Sequence, residues 1–172
     1  MLKRELEYRN FEVFVPQIPE ADKPRIYNWL PALSKLVINP NQNTYFVGHS
    51  MGCELITRYL ETLDSGVVIG GAVFVAGFFK CLTVLDDNRK TKDITNHCLQ
   101  SPIDLFKVKS HLKKSTAIFS DNDPFVPLEN QNDFKSKLGS EIIIEEGKGH
   151  FSGSTGILEL PAALQTIIEM SK

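Results

Sequence analysis

The sequence carries a serine with a glycine two residues away on either side, in Gly48-His49-Ser50-Met51-Gly52. A β-rich apolar stretch ending at Gly48 runs into it, and a helical pattern begins straight after Ser50. That context describes a strand, a sharp turn and a helix, with the serine at the apex. The turn strains the serine backbone, and Cβ atoms two residues to either side would collide, which accounts for glycine at both positions. The hydroxyl is lifted clear, and the amide of Met51 and the helix N-terminus are aimed at a developing oxyanion. A serine hydroxyl is a poor nucleophile at neutral pH and needs a base within hydrogen-bond reach. Imidazole suits that task, since its pKa lies near the working pH. A carboxylate on the far ring nitrogen fixes the tautomer and stabilises the imidazolium. The sequence offers Asp121 and Asp123 in one turn-rich run and His150 in another, Gly147-Lys148-Gly149-His150.

The competing residues differ in position. His49 adjoins the serine and is expected to point elsewhere off the elbow. His97 lies in an irregular stretch and His111 near a helix end, so His150 is the candidate base. Asp123 precedes Pro124, which biases its backbone to an extended conformation. Asp121 is the alternative acid, or else a turn-former bonding nearby amides. No third carboxylate follows at calcium-loop spacing, so the pair does not read as a metal site.

The elements that must position these residues follow from periodicity. Strands are expected at 11–15, 44–48, 67–79, 116–119 and 141–145. A helix should start at Asp22-Lys23-Pro24 and carry Ile26, Trp29, Leu30, Leu33 and Leu36 inward, kinked or broken at Pro31. After the elbow, Cys53, Ile56, Tyr59, Leu60 and Leu63 form an apolar stripe, with Glu54, Thr57, Arg58 and Glu61 facing out. Lys80 to Gln100 loses periodicity, and its balanced charges at 86–93 read as a solvated loop. Further helices are expected over 101–112, over 128–138 closed by Gly139, and from Leu160 to Ile168. Strands separated by helices imply a mostly parallel sheet of about five strands with helices on both faces. Ser50, the Asp pair and His150 all follow strand C-termini, where sites form in such sheets. The chain order Ser, Asp, His is the one expected of α/β-hydrolases.

With 172 residues, the chain is long enough for one domain with a sizeable core, spanning 1–172. Its net charge of −2 gives no electrostatic case for nucleic acid or an anionic membrane surface. No apolar run approaches the length of a membrane span, and the first nine residues are too polar for a signal peptide. Cys53, Cys81 and Cys98 are odd in number and show no C-x-x-C spacing, which argues against a disulfide framework or zinc site. A cytoplasmic protein without metal or cofactor is the expectation.

Phe46-Val47-Gly48-His49-Ser50-Met51-Gly52, Ser120-Asp121-Asn122-Asp123-Pro124-Phe125-Val126-Pro127 and Gly149-His150-Phe151 together resemble the small serine hydrolases of the YdeN and retinoblastoma-binding protein 9 type. Pro19 to Trp29 resembles that family's Pro-rich lead into a Trp-bearing helix, so the likeness runs over essentially the whole chain. The resemblance implies a compact three-layer α/β-hydrolase acting on small esters or aminoacyl-type bonds. By it, Ser50 is the nucleophile, Asp123 the acid and His150 the base. The family begins with a strand and a Gly-rich loop that donates the second oxyanion amide, then a full helix. Leu2–Tyr8 matches only the end of that helix, so either the true start lies upstream or the protein is short. In the second case weak catalysis is expected, with self-association through an exposed sheet edge. A hydrolase fold serving as a binding module is the alternative, and a thioesterase would share the same triad. The Leu-x-Cys-x-Glu motif for a retinoblastoma-type partner is absent, Met51 taking the leucine position and Glu54 following Cys53 directly.

Overall fold

The computed structural model describes residues 1–20, 25–79, 82 and 102–172. Helix α1 (Leu2–Glu7) and helix α2 (Ile26–Leu36) precede strand β1 (Tyr45–His49) and helix α3 (Met51–Glu61). Strand β2 (Gly71–Val75), helix α4 (Leu105–Ser110), strand β3 (Ser115–Ser120) and strand β4 (Glu141–Glu145) follow. Between β3 and β4 lies a composite helical segment, α5. It joins a 3₁₀ turn (Leu128–Asn130), an α turn (Gln131–Asp133) and a π turn (Phe134–Leu138), and Gly139 closes it in the left-handed conformation. Helix α6 (Pro161–Met170) ends the chain.

The four strands are all parallel and lie in the order β1-β2-β3-β4. Parallel strands need crossovers, and the helices that provide them cover both faces. Phe46, Ala72, Phe74, Ala117 and Phe119 face one layer, built from α2, α3, α4 and α5. Val73, Val75 and Ile118 face the other, where Leu6 of α1 and Ala163, Ile167 and Met170 of α6 pack. Every residue of β2 and β3 is buried, as in central strands covered on both sides. Among the described residues no helix is long and apolar enough to cross a membrane.

The expected first strand is not one. Phe11–Val15 joins no ladder, and among the described residues the sheet has four strands where about five are expected. The local alternation is satisfied another way: Phe11 and Val13 pack into the α1–α6 layer, with the Phe11 ring 6.3 Å edge-on from Tyr45. Lys3 Nζ donates to the Val13 carbonyl at 2.9 Å, while Phe14 and Val15 stay exposed. The apolar run 67–79 yields only five strand residues, because Ala76 turns out of the sheet with φ +47. Beyond it Gly77 is so tightly seated that a Cβ there would lie 2.5 Å from Phe134 Cζ. That is core packing, which a hydrophobic run alone cannot distinguish from strand.

Helix α2 continues through Pro31, whose ring lies on the exposed side, and Leu36 of the expected stripe is exposed. Trp29 is core, as expected, with its indole N–H donating to the Pro19 carbonyl at 2.7 Å. In α3 Cys53, Ile56, Tyr59 and Leu60 of the expected stripe are buried and Leu63, past the helix end, is half-buried; Glu54 and Thr57, expected to face out, are buried too. The helix is gripped between α2 and α4, so its covered face is wider than one stripe. Thr57 satisfies its hydroxyl on the Glu54 carbonyl at 2.9 Å, and Glu54 pairs with Arg58 at 3.6 Å. The helix start at 22–24, the loop over 83–100 and residues His97, Cys81, Cys98 and Ser101 lie outside the described residues.

Candidate active site

β1 delivers Ser50 at its C-terminus with φ +53 and ψ −119, a conformation that non-glycine residues rarely adopt. The strain is held by the ladder below and the helix above: Ser50 N–H donates to the Val75 carbonyl at 2.9 Å, and Cys53 N–H donates to the Ser50 carbonyl at 2.9 Å. Met51 is the first residue of α3. Its amide is therefore one of the helix N-terminal donors with no intrahelical acceptor.

The two flanking glycines do different jobs. A Cβ at Gly48 would lie 2.6 Å from Ile56 Cδ1 and 2.8 Å from both the carbonyl carbon and oxygen of Gly52. A Cβ at Gly52 would meet nothing within 4 Å. The collision expected at both positions is thus real only at Gly48, where the strand runs against the first turn of the helix.

β3 ends in a set of short polar side chains that seize the loop after β4. Asp121 Oδ1 accepts from Gly147 N–H at 2.8 Å, Ser120 Oγ from Lys148 N–H at 3.0 Å, and Asn122 Oδ1 from Gly149 N–H at 2.7 Å. Asp123 Oδ2 then meets His150 Nδ1 at 2.8 Å. Four successive residues of one loop hold four successive residues of the other. Asp123 Oδ1 also accepts from the amides of Phe125 and Val126, at 2.8 and 3.1 Å, which locks the carboxylate plane. Asp123, not Asp121, is the carboxylate at the imidazole. Ser120 and Asn122 were not singled out as site residues by the sequence reading. The available signal was a run of four compact hydrogen-bonding side chains at a strand end.

The Asp123 side chain is only 2% exposed and that of His150 14%. Burial on its own would raise the Asp123 pKa. The hydrogen bond from His150 and those from the Phe125 and Val126 amides outweigh it and hold the carboxyl below its ordinary value. With Nδ1 engaged on an ionised carboxylate, Nδ1 carries the proton and Nε2 is the basic nitrogen. Phe125 packs edge-on to the imidazole with centroids 5.1 Å apart.

His49, expected to point away, lies against the same loop. Its Nε2 is 2.7 Å from the His150 carbonyl oxygen, and the two imidazole centroids are 4.8 Å apart. Crowding by the elbow and loop desolvates the His49 ring and lowers its pKa, partly offset by the hydrogen bond to the His150 carbonyl. A cleft of about 370 Å³ lies on the α1–α6 side, bounded by Val47, His49, Val75, Phe151, Leu158 and Leu160 among others. It adjoins the site, but neither Ser50 nor His150 lines it.

Comparison with known proteins agrees with this architecture. The hydrolase YdeN of Bacillus subtilis (strain 168) is 29% identical over 160 residues, covering 93% of this chain and 80% of that protein. The crystal structure of the ydeN gene product superposes with a TM-score of 0.87, covering 98% of this chain and 87% of that one. The serine hydrolase RBBP9 of Rattus norvegicus is 22% identical over 144 residues, covering 84% of this chain and 72% of that protein. At 15% identity, the structure of polyneuridine aldehyde esterase shares the fold, with a TM-score of 0.64 over 99% of this chain and 92% of that one. The fold is that of the α/β-hydrolases, and the family model described as "Serine hydrolase" matches residues 5–169, so this chain belongs to the serine hydrolase family.

Proposed function

We propose that this hydrolase acts on small ester or aminoacyl-type substrates through an acyl-enzyme. In this reading Ser50 Oγ attacks the carbonyl carbon while His150 Nε2 takes its proton. Asp123 holds the His150 Nδ1–H and stabilises the imidazolium that forms. The oxyanion of the tetrahedral intermediate receives the Met51 N–H. Collapse expels the leaving alcohol, which takes the proton from His150, and leaves the acyl group on Ser50. Water, deprotonated by the same imidazole, then releases the acid and restores the serine. No cofactor or metal is needed for any step.

The observation that carries this reading is the buried Asp123–His150 pair, 2.8 Å apart, whose loop is bonded to the residue next to the strained Ser50. The elbow supplies one amide donor, and a single donor is worth about 10²–10³ in kcat. A binding role on the same fold is the second reading. The exposed side of β1 favours the accompanying proposal of self-association. β1 pairs only with β2 among the described residues, which leaves its other edge open to a further strand. A cytoplasmic setting fits the free, fully buried Cys53 thiol, whose pKa burial pushes up.

A fluorophosphonate probe tests the nucleophile. Wild type should be labelled and Ser50→Ala should not. Labelling that persists in Ser50→Ala would place the reactive group elsewhere.

A further inference from the structure

We infer that His49 is a positioning residue: its Nε2–H tethers the backbone of the His150 loop to the nucleophile elbow and so sets the distance between base and serine. The inference rests on the acyl-transfer reading, and it begins from an asymmetry in how the His150 loop is held.

The residues from Gly147 to His150 are gripped side by side by Asp121, Ser120, Asn122 and Asp123. All four grips come from the end of β3. They fix the base relative to its carboxylate. None of them fixes it relative to Ser50, which sits at the end of β1, two strands away across β2. The loop must span that gap while bending sharply. Gly149 has φ +53 and Phe151, a bulky residue, has φ +50. The carbonyl between those two left-handed residues is that of His150, and its direction defines where the loop points.

His49 catches that carbonyl. Strand alternation puts the Tyr45, Val47 and His49 side chains on the α1–α6 face, opposite Phe46 and Gly48. As the last residue of β1, His49 reaches over the strand end toward the loop rather than down into the layer. Its Nε2 stands 2.7 Å from the His150 oxygen. A carbonyl only accepts, so Nε2 must carry the proton, which in the neutral ring leaves Nδ1 without one. The ring then lies 4.8 Å from the His150 ring at 53°, a second contact from the same side chain. Because His49 and Ser50 share a peptide bond, the tether transmits the elbow's position to the base through very few rotatable bonds. Misplacing a catalytic group by about 1 Å costs on the order of 10²-fold in rate. The residue at this position therefore needs a donor at the distance of Nε2, not merely bulk.

The experiment compares His49→Gln, His49→Asn and His49→Leu. Glutamine places an amide N–H close to the Nε2 position, asparagine falls short, and leucine has no donor. Hydrolysis of p-nitrophenyl acetate and the rate of fluorophosphonate labelling are measured beside thermal unfolding. His49→Leu and His49→Asn should lose about 10–100-fold in kcat and in labelling rate with KM within about twofold. His49→Gln should restore kcat to within about threefold of wild type. Wild-type kcat in His49→Leu, or an equal loss in all three folded variants, would overturn the tether. If His49→Leu does not fold, Gln against Asn decides. Long-range ¹H–¹⁵N spectra of the wild type provide an arm independent of activity: His49 should be the Nε2–H tautomer, and the Nδ1–H tautomer would refute the inference. A wild type inert to probe and ester, yet showing the Nε2–H tautomer, would instead remove the proposed reaction and leave the tether standing.

Discussion

Alanine at the two elbow glycines should have opposite consequences, although the motif treats them alike. At Gly48 the new methyl would lie 2.6 Å from Ile56 Cδ1 and 2.8 Å from the Gly52 carbonyl carbon and oxygen. Ile56 Cδ1 ends a flexible side chain and can swing aside. The Gly52 carbonyl is backbone in the first turn of α3 and cannot. Ordinary contact at about 3.4 Å therefore requires the strand and the helix to separate by roughly 0.6 Å, with Ser50 at their junction. Overpacking of this kind costs about 1–3 kcal/mol. For a chain of this size each kcal/mol is worth roughly 2–4 °C in Tm. The same displacement moves the serine and the Met51 amide together, so a fall in kcat of about 10–100-fold is expected. At Gly52 a methyl meets nothing within 4 Å, and the residue lies inside α3. Removing a helical glycine there should stabilise by about 0.5–1 kcal/mol. Urea unfolding and p-nitrophenyl ester hydrolysis on both variants check these expectations. Gly48→Ala with wild-type stability and turnover, or Gly52→Ala destabilised by more than about 1 kcal/mol, would refute the contact argument.

Asp123→Asn should cut kcat by about 10²–10⁴ through loss of the tautomer-fixing carboxylate. Asp121→Asn keeps the oxygen that accepts from Gly147 N–H and should change kcat by less than about threefold; steady-state kinetics on both decides, and the reverse order would reassign the acid. Self-association through β1 should show as a mass in sedimentation that rises with concentration; a mass that stays that of one chain at every concentration would exclude it. The pH dependence of stability has two stated signs. Asp123 has a depressed pKa, so its contribution is complete above the ordinary carboxylate value near 3.9 and is lost as pH falls through the folded-state value. His49 is also depressed, so its contribution is complete above the ordinary histidine value near 6.5 and is lost as pH falls below it. Relative to His49→Gln, wild type should lose stability as pH falls below about 6.5; a relative gain in denaturant titrations would show that the fold favours the imidazolium.

The architecture was legible because its signals are local and redundant. Each of β1, β3 and β4 lies within one or two residues of the stretch that periodicity marks, and each is bounded by turn-formers. The elbow could be read from type and spacing together, since few backbones need a serine between two glycines at a strand end. What escaped depended on neighbours distant in the chain. Phe11–Val15 has strand-like alternation, but a strand exists only where a partner strand lies beside it, and here Phe11 and Val13 face α1 and Tyr45 instead. Glu54 and Thr57 look like an exposed face until α4 covers it. Gly52 looks as constrained as Gly48 because a pattern records which residues are present and not which one is crowded.

The same reasoning explains why the four-point clasp between the β3 and β4 loops went partly unread. In the sequence Asp121 reads as a rival to Asp123, whereas the geometry gives them parallel tasks on Gly147 and His150, at the two ends of one four-residue stretch of the partner loop. A carboxylate next to a catalytic one is easily mistaken for a spare. In this fold, Asp121 and Asn122 bring the loop into place so that Asp123 finds His150 at 2.8 Å. The division follows from reach: each side chain is short, so each holds a different residue of the partner loop. Positioning the base then needs one contact from the other side of the sheet, and His49 is the side chain that makes it.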